Sequence, residues 1–297
     1  MGQSAIRVVM TIIFDEAATE YSQPWHPERP ERLSTTESRL REAFPAATWK
    51  APYIAEDKDL LRAHTTAHLQ RLAEPKDFDV DTPYYARIEE HARRAVGGAL
   101  LATECALKGE KPFSLLRPPG HHATADRAMG FCYLNSIAVA ALRALATGCD
   151  RVAIWDFDGH HGNGTEEIVR GHESIRFGSV HQYPGYPGTG TSSFQNVYNW
   201  PVAPLTHREM HAAKVREALD RLLEFGPDLI LVSAGFDAYR EDPLMDLLLE
   251  ADDFYHFGHW LAQTGIPALA ILEGGYSNRL PELVENFLHG WTGQRPQ

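Results

Sequence analysis

The chain has 297 residues, of which 43% are hydrophobic and 23% are charged, which is typical of a water-soluble folded protein of one or two domains. Its net charge of −12 argues against broad binding to nucleic acid through phosphates and mildly favours a cationic substrate or partner. No stretch approaches the ~18 apolar residues that a membrane span needs, and the apolar run at residues 8–14 predicts a first strand rather than a signal peptide.

Six short apolar runs predict a parallel β-sheet. They are continuous rather than alternating, and helical patterns separate them, as expected for strands that are buried on both faces. In chain order, the runs are residues 7–14, 113–116, 152–157, 175–180 (the weakest), 229–233 and 268–272. We therefore predict an α/β fold in which a parallel sheet lies between layers of helices.

Helices are predicted between and after these strands, at residues 85–108, 135–147, 206–225, 250–264 and 281–291. Thr206 and Glu209 have the spacing of a capping box, which predicts the start of the third helix. The acidic run 250–253 predicts another helix N-terminus, where the helix dipole favours negative charge. Residues 182–193, rich in Gly, Pro and Tyr, predict a loop. Because no repeat or linker is evident, we expect one domain over residues 1–297.

The three cysteines predict a reducing compartment. Cys105, Cys132 and Cys149 have no C-x-x-C spacing and cannot all pair with one another. Helical or apolar neighbours surround each one, so we expect buried free thiols rather than disulfides. This favours a cytoplasmic protein.

Polar clusters follow five of the predicted strands at their carboxyl ends. The clusters lie at residues 117–122, 156–161, 179–181, 234–237 and 273–276. Open parallel sheets bind ligands beyond the carboxyl ends of their strands, so these clusters would meet at one edge. One such cluster could be an ordinary polar loop, whereas five at equivalent places indicate a functional site.

Asp158, His160 and Asp237 are predicted metal ligands. Residues two apart in an extended segment point the same way, so Asp158 and His160 can reach one ion, which Asp237 would help to bind from another strand. Two carboxylates and one imidazole suit Zn²⁺, or Fe²⁺, and leave coordination positions open for water and substrate. Asp158 and His160 alone could form a hydrogen-bonded loop. A two-metal ureohydrolase would carry Asp two residues beyond His160, where this chain has Gly162, so one metal is favoured.

Six motifs follow one another in a characteristic order. They are residues 117–123 (RPPGHHA), 130–132 (GFC), 156–165 (DFDGHHGNGT), 187–190 (PGTG), 233–237 (SAGFD) and 273–276 (EGGY). In this order they resemble the zinc-dependent histone deacetylase family, with its bacterial acetylpolyamine and acetoin-utilisation relatives. The likeness begins at residues 26–33 (HPERPERL) and covers nearly the whole chain. It implies the arginase/deacetylase α/β fold, which agrees with the predicted parallel sheet.

The resemblance implies a role for each residue around the metal. The three predicted ligands would bind Zn²⁺. His122 would act as general base and then general acid, and His121 would tune charge and orient the attacking water. Tyr276 would donate its hydroxyl to the amide oxygen. The chemistry needs these parts, because an amide is a poor electrophile and water a poor nucleophile.

The resemblance also implies a supporting group behind the metal. Asp156 would orient His121 and, with Ser179 and nearby carbonyls, would hold K⁺. Many family members carry Asp where this chain has Asn163. Asn is the residue found at this position in the class II-like branch. Asn163 cannot supply a negative charge to a neighbouring histidine, so it affects the protonation states of the histidine pair.

A substrate tunnel is implied in the same way. Phe131 and Tyr186, with Gly130, would wall the tunnel that takes an acylated side chain, and Leu244 would lie at its rim. Asp81 would grip the substrate backbone. Without the resemblance, Phe131 and Tyr186 could be core aromatics and Asp81 a turn residue. A Glu at the Leu244 position marks polyamine specialists, and Leu does not.

The remaining polar residues receive less specific predictions. Arg32 would line an inner acetate channel, or else be a solvated helix residue, and His181 is predicted to be structural. Surface or hydrogen-bonded core positions are predicted for His64, His68, His91, His207, His211, His256, His259 and His289.

The sequence therefore predicts an enzyme that removes acetyl or other acyl groups from lysine side chains of proteins or from related amines. One alternative is a small-molecule acetylpolyamine deacetylase, against which Leu244 weighs. A second is a catalytically silent acyl-lysine binder. A binder needs neither a proton shuttle nor an oxyanion donor, and this chain retains both.

Overall fold

The computed structural model describes residues 9–294, within which eight strands form one sheet. The strands are β1 (Met10–Ile13), β2 (Thr48–Lys50), β3 (Lys111–Ser114), β4 (Val152–Asp156), β5 (Ile175–Gln182), β6 (Val197–Val202), β7 (Leu229–Ala234) and β8 (Ala268–Leu272). Their order across the sheet is β2-β1-β3-β8-β7-β4-β5-β6, and every neighbouring pair is parallel. This confirms the predicted parallel sheet.

The six predicted strands are present, and the two that the sequence did not predict lie at the edges. Residues 7 and 8 of the first predicted strand lie outside the described residues. β2 has three residues, none of them buried, and β6 alternates between buried and more exposed positions and contains Pro201. These edge strands need no continuous apolar run, because their side chains are not buried on both faces of the sheet.

Nine α-helices occur between residues 9 and 294. They are α1 (Glu31–Ala43), α2 (Asp57–Leu60), α3 (Thr66–Leu72), α4 (Ile88–Leu107), α5 (Ser136–Ala146), α6 (Asn163–Val169), α7 (Arg208–Leu223), α8 (Ala251–Gln263) and α9 (Leu280–Thr292), and a 3₁₀ helix spans Glu16–Thr19. None of the helices in this part of the chain is long and apolar enough to cross a membrane.

The two predicted helix starts had different outcomes. The acidic run 250–253 lies at the start of α8, as predicted, and Glu250 and Asp253 form a capping box there. The capping box predicted at Thr206 is wrong, because α7 begins at Arg208 and its N-cap residue is His207. No helix bounds were predicted for α1, α2, α3 and α6.

Helices cover both faces of the sheet. Phe113 and Ser114 are consecutive in β3 and therefore point to opposite faces. Phe113 packs against Phe287 of α9 with ring centres 6.5 Å apart, whereas Ser114 lies against Gly98 of α4. This is the layered α/β arrangement expected from the sequence, and it brings the carboxyl ends of β3, β4, β5, β7 and β8 to one edge.

The cysteines are free thiols. Cys105 and Cys132 are buried, as predicted, but Cys149 is only partly buried.

Candidate metal centre and active site

Asp158, His160 and Asp237 converge beyond the carboxyl ends of β4 and β7. One ligand atom from each residue lies within 4.8 Å of the other two. His160 Nδ1 lies 2.8 Å from Asp237 Oδ2 and 3.3 Å from Asp158 Oδ1. Both carboxylates are fully buried, and His160 is 9% exposed. The structure thus brings together the three residues that the sequence predicted as ligands.

Glycines let the chain approach these carboxylates closely. A Cβ atom at Gly235 would lie 1.9 Å from Asp158 Oδ2, and one at Gly274 would lie 2.2 Å from Asp237 Oδ2. Backbone amides also orient the ligands, since Gly274 N–H donates to Asp158 Oδ2 at 2.8 Å and Gly159 N–H donates to Asp237 Oδ1 at 2.6 Å. Such outer hydrogen bonds fix the direction in which a ligand presents its lone pairs.

The electrostatics of this cluster fit a bound cation. Burial and the neighbouring Asp158 carboxylate raise the pKa of Asp237. Burial would lower the pKa of His160, but Asp237 and Asp158 outweigh burial and raise it to about 10. Two buried carboxylates this close together need a compensating positive charge. A divalent ion supplies that charge, and carboxylate oxygen with imidazole nitrogen is a donor set that such ions accept.

His121 and His122 lie beside the three ligands with different partners. Their ring centres are 4.1 Å apart, and both side chains are buried. His121 Nδ1 lies 3.0 Å from Asp156 Oδ2, and His122 Nδ1 lies 2.8 Å from Asn163 Oδ1. Because Asn163 Oδ1 can only accept, His122 carries its proton on Nδ1 and leaves the lone pair on Nε2.

Their surroundings shift the pKa values of the two histidines in opposite directions. Burial would lower the pKa of His121, but the carboxylates of Asp158 and Asp156 outweigh burial and raise it well above its usual value. Burial lowers the pKa of His122 well below its usual value, and the charges on His121 and His160 add to that effect. At neutral pH the pair therefore combines an imidazolium with a neutral imidazole.

A cavity of about 380 Å³ leads to this cluster. His122, His160 and Tyr276 line it, and all five predicted tunnel residues line it too, namely Asp81, Gly130, Phe131, Tyr186 and Leu244. The Tyr186 ring lies edge-on to His122 at 5.1 Å, and the Phe131 ring lies edge-on to Tyr276 at 5.7 Å. Phe131 and Tyr186 are therefore cavity walls rather than core aromatics.

Gly130 is required by the close approach of this wall. A Cβ atom there would lie 2.6 Å from the His122 ring and 3.0 Å from the Tyr186 ring, and its φ of +56° is in the left-handed region. Any other residue would displace the histidine or narrow the cavity.

The sequence profile of the histone deacetylase domain matches residues 26–290. The chain belongs to the histone deacetylase family. It is 36% identical over 305 residues to a protein of Methanothermobacter thermautotrophicus named as a probable deacetylase, and the match covers 96% of this chain and 91% of that protein. As a member of this family, the chain is a hydrolase that acts on amides.

Solved structures of the histone deacetylase family share this fold. The HDA15 HD domain has a TM-score of 0.90 at 31% identity, with 97% of this chain and 89% of that chain covered. Acetylpolyamine aminohydrolase from Burkholderia pseudomallei has a TM-score of 0.87 at 26% identity, with 97% and 100% covered. These matches confirm the predicted arginase/deacetylase fold.

The structure corrects one interpretation of Arg32 and agrees with the prediction for His181. Arg32 is not a solvated helix residue, because it is 3% exposed and its Nε donates to Gly275 O at 2.7 Å. His181 is buried between Ser179 Oγ at 2.9 Å and Gly190 O at 3.0 Å, as expected for a structural residue. Ser179 also pairs with Asp156 across β4 and β5, which places the two predicted K⁺ residues side by side.

The minor histidines are hydrogen-bonded or at least partly exposed, with one exception. His68 Nε2, for example, lies 2.7 Å from Tyr133 O. His211 contradicts the prediction, because it is fully buried and neither ring nitrogen has a hydrogen-bond partner among residues 9–294. Helical spacing showed that His211 could face inward, but it could not show that the surroundings lack a partner.

Two buried carboxylates near the site received no role from the sequence reasoning. Glu273 Oε2 accepts from the backbone N–H of Gly120 at 2.7 Å and of His121 at 3.1 Å, so it holds the turn that carries the histidine pair. Asp242 accepts from the backbone N–H of Tyr276 at 2.7 Å. Glu273 belongs to the strand-end cluster 273–276 that the sequence indicated, whereas Asp242 lies in an irregular segment with no such signal.

Proposed function

We propose that the chain is a zinc-dependent deacetylase whose single catalytic domain hydrolyses the amide of an acetylated lysine side chain or of a related acylated amine. The observation that carries the proposal is the convergence of His122, His160 and Tyr276 on one cavity. A proton acceptor, a metal ligand and a hydroxyl donor thus face the same small volume. Hydrolysis of an amide needs these three functions together.

Asp158, His160 and Asp237 would hold the metal ion. Zn²⁺ bound there would polarise the amide carbonyl and lower the pKa of the attacking water. Fe²⁺ suits the same ligands. Both carboxylates already accept backbone hydrogen bonds, so little reorganisation is needed when the ion binds.

His122 is proposed as the general base and then the general acid. Its lowered pKa keeps the ring neutral at neutral pH, and Asn163 holds the proton on Nδ1. Nε2 is then free to take a proton from water and later return it to the leaving amine. His121, held as an imidazolium by Asp158 and Asp156, contributes positive charge beside the developing oxyanion. We further propose that Asp156 and Ser179 hold K⁺ behind this pair.

Tyr276 is proposed as the oxyanion donor. Burial raises the pKa of its hydroxyl well above the usual value, so the proton stays on the oxygen and can be donated. A donor of this kind stabilises negative charge that develops only in the transition state.

Acylated lysine in a peptide is the substrate class that the rim favours. Leu244 is 40% exposed at the mouth of the cavity, where it offers apolar contact rather than a carboxylate for an amine. Asp81 is exposed at the same mouth and can accept from a peptide N–H. Acetylated polyamines are the second candidate, which the negative charge of Asp81 and the structural match to an acetylpolyamine aminohydrolase support.

The test is acetate release by zinc-loaded protein from an acetyl-lysine peptide, from N-acetylputrescine and from an N-acetylspermidine. We expect kcat/KM for the peptide to exceed that for either amine by about tenfold or more, since the peptide alone can use both Asp81 and Leu244. Tyr276→Phe should lower kcat on the peptide by about 10²- to 10³-fold.

Each other outcome is informative. A preference for the two amines would make the protein a polyamine deacetylase. No release from any of the three substrates, nor from peptides with longer acyl groups, would contradict the proposed activity and favour a silent acyl-lysine binder.

A further inference from the structure

The peptide bond between Gly275 and Tyr276 is held from both sides by buried polar side chains. Its carbonyl oxygen accepts from Arg32 Nε at 2.7 Å. Its N–H, which belongs to Tyr276, donates to Asp242 Oδ2 at 2.7 Å. Arg32 is 3% exposed and Asp242 is 6% exposed, so water screens neither interaction well. A guanidinium thus faces the carbonyl, and a carboxylate faces the N–H.

This arrangement restrains a segment that is otherwise free to rotate. Gly274 and Gly275 precede Tyr276, and Gly275 has a φ of +119°, which few other residues adopt. Rotation of the peptide plane by half a turn would point the carbonyl at Asp242 and the N–H at Arg32. Both hydrogen bonds would then be lost, so the two side chains select one orientation of the peptide and therefore one direction for the Tyr276 side chain.

Asp242 also joins this segment to the rim of the cavity. Its Oδ2 accepts a second bond from Ser277 N–H at 3.2 Å, and its Oδ1 accepts from Leu244 N–H at 3.0 Å. Tyr276 and Leu244 both line the substrate cavity. One carboxylate therefore connects the proposed oxyanion donor to the residue at the mouth.

We propose that Asp242 is a positioning residue for Tyr276: its carboxylate fixes the Gly275–Tyr276 peptide and thereby directs the tyrosine hydroxyl into the cavity. The inference rests on the proposed function, in which that hydroxyl stabilises the oxyanion. Asp242 touches neither substrate nor metal in this account, and it acts only through Tyr276 and the rim.

Asp242→Asn is the variant that tests this role. Asparagine keeps one oxygen acceptor and nearly the same volume, but it loses the charge and turns an N–H₂ toward one of the three backbone donors. We expect kcat on the acetyl-lysine peptide to fall by about 10- to 100-fold, and by no more than in Tyr276→Phe, with KM changed less than about threefold. Asp246→Asn, at an exposed aspartate four residues further along, is the matched control and should retain wild-type kcat.

A double-mutant cycle separates positioning from a general structural role. In the Tyr276→Phe background there is no hydroxyl left to position, so Asp242→Asn should reduce kcat by less than about threefold further. An equal loss in both backgrounds, or no loss with Tyr276 intact, would overturn the inference. If Tyr276→Phe alone leaves kcat unchanged, the proposed function is wrong at Tyr276.

Hydrogen exchange tests the same inference without an activity assay. In zinc-loaded protein, the amides of residues 274–278 should exchange about tenfold faster or more in Asp242→Asn than in the wild type, because a neutral amide is a weaker acceptor for two of them than the carboxylate. Exchange in β4 should be unaltered if the fold is intact. Unchanged exchange at residues 274–278 would refute the proposed role of Asp242, even if no substrate is turned over.

Discussion

His121 and His122 are adjacent in the chain and equally buried, yet their surroundings prepare them for opposite roles. Burial lowers the pKa of both rings. For His121, Asp158 and Asp156 outweigh burial, whereas His122 faces a neutral amide on Asn163 and positive charge on His121. The difference shows that the charged groups around two adjacent, equally buried rings decide which histidine carries charge and which can accept a proton.

Alanine substitution of each histidine should show the largest difference. His122→Ala removes the only group placed to move protons in the proposed mechanism, so we expect kcat to fall by about 10³-fold. His121→Ala removes charge but leaves the base, so a loss of about 10- to 100-fold is expected. Steady-state kinetics on the acetyl-lysine peptide measure both values. A larger loss for His121→Ala would reverse the assignment of the two roles.

Asp156→Asn should make the first histidine resemble the second. Without the carboxylate on Nδ1, the pKa of His121 falls and the ring loses part of its charge near neutral pH. We expect kcat to fall about tenfold, with a greater loss at alkaline pH, where His121 is deprotonated. The pH dependence of kcat checks this, and an unchanged profile would show that the charge on His121 does not contribute.

Asn163→Asp tests the converse change. A carboxylate beside His122 Nδ1 would raise the pKa of the base, so the ring would stay protonated to higher pH and could not accept a proton there. We expect the acidic limb of the kcat/KM profile to move up by about one pH unit or more, with a several-fold loss near neutral pH and little change at alkaline pH. A limb that does not move would exclude His122 as the titrating base.

His211 is a buried histidine with no polar partner, and it should affect stability alone. Burial lowers its pKa to about 4. Since the unfolded value is near 6.5, stability is fully present above that pH and is lost as pH falls toward the folded value. Acidification from about pH 7.5 to about pH 5 should therefore cost about 2 kcal/mol in the free energy of unfolding through this residue.

His211→Leu should remove that loss and leave kcat unchanged. Urea unfolding of the wild type and the variant at both pH values measures the effect. Equal pH dependence in the two proteins would show that His211 is not an acid-sensitive site.

The sequence predicted the metal-ligand cluster better than the hydrogen bonds that hold Tyr276 in place. Asp158, His160 and Asp237 could be predicted as a cluster because polar residues at the ends of parallel strands must meet. The bonds that hold Tyr276 could not be predicted, since Arg32 and Asp242 lie 243 and 34 residues from their partners at residues 275 and 276. Such contacts depend on how loops cross in space, and no local pattern encodes them.

The same contrast applies to the fold. Buried strands such as β4 and β8 were predicted closely because burial on both faces demands a continuous apolar run. The edge strands β2 and β6 carry no such requirement and were missed. The capping box at Thr206 failed because the helix begins at Arg208, so that the N-cap position falls on His207.

Zinc dependence of acetate release tests the central claim most directly. The protein would be stripped of metal and assayed on the acetyl-lysine peptide while Zn²⁺ is added in steps, beside Asp237→Asn treated in the same way. We expect stripped protein to be inactive, activity to return and saturate near one equivalent of Zn²⁺, and Asp237→Asn to recover less than about 1% of it. Full activity without metal, or equal recovery in Asp237→Asn, would contradict the assignment of Asp158, His160 and Asp237 as the catalytic metal site.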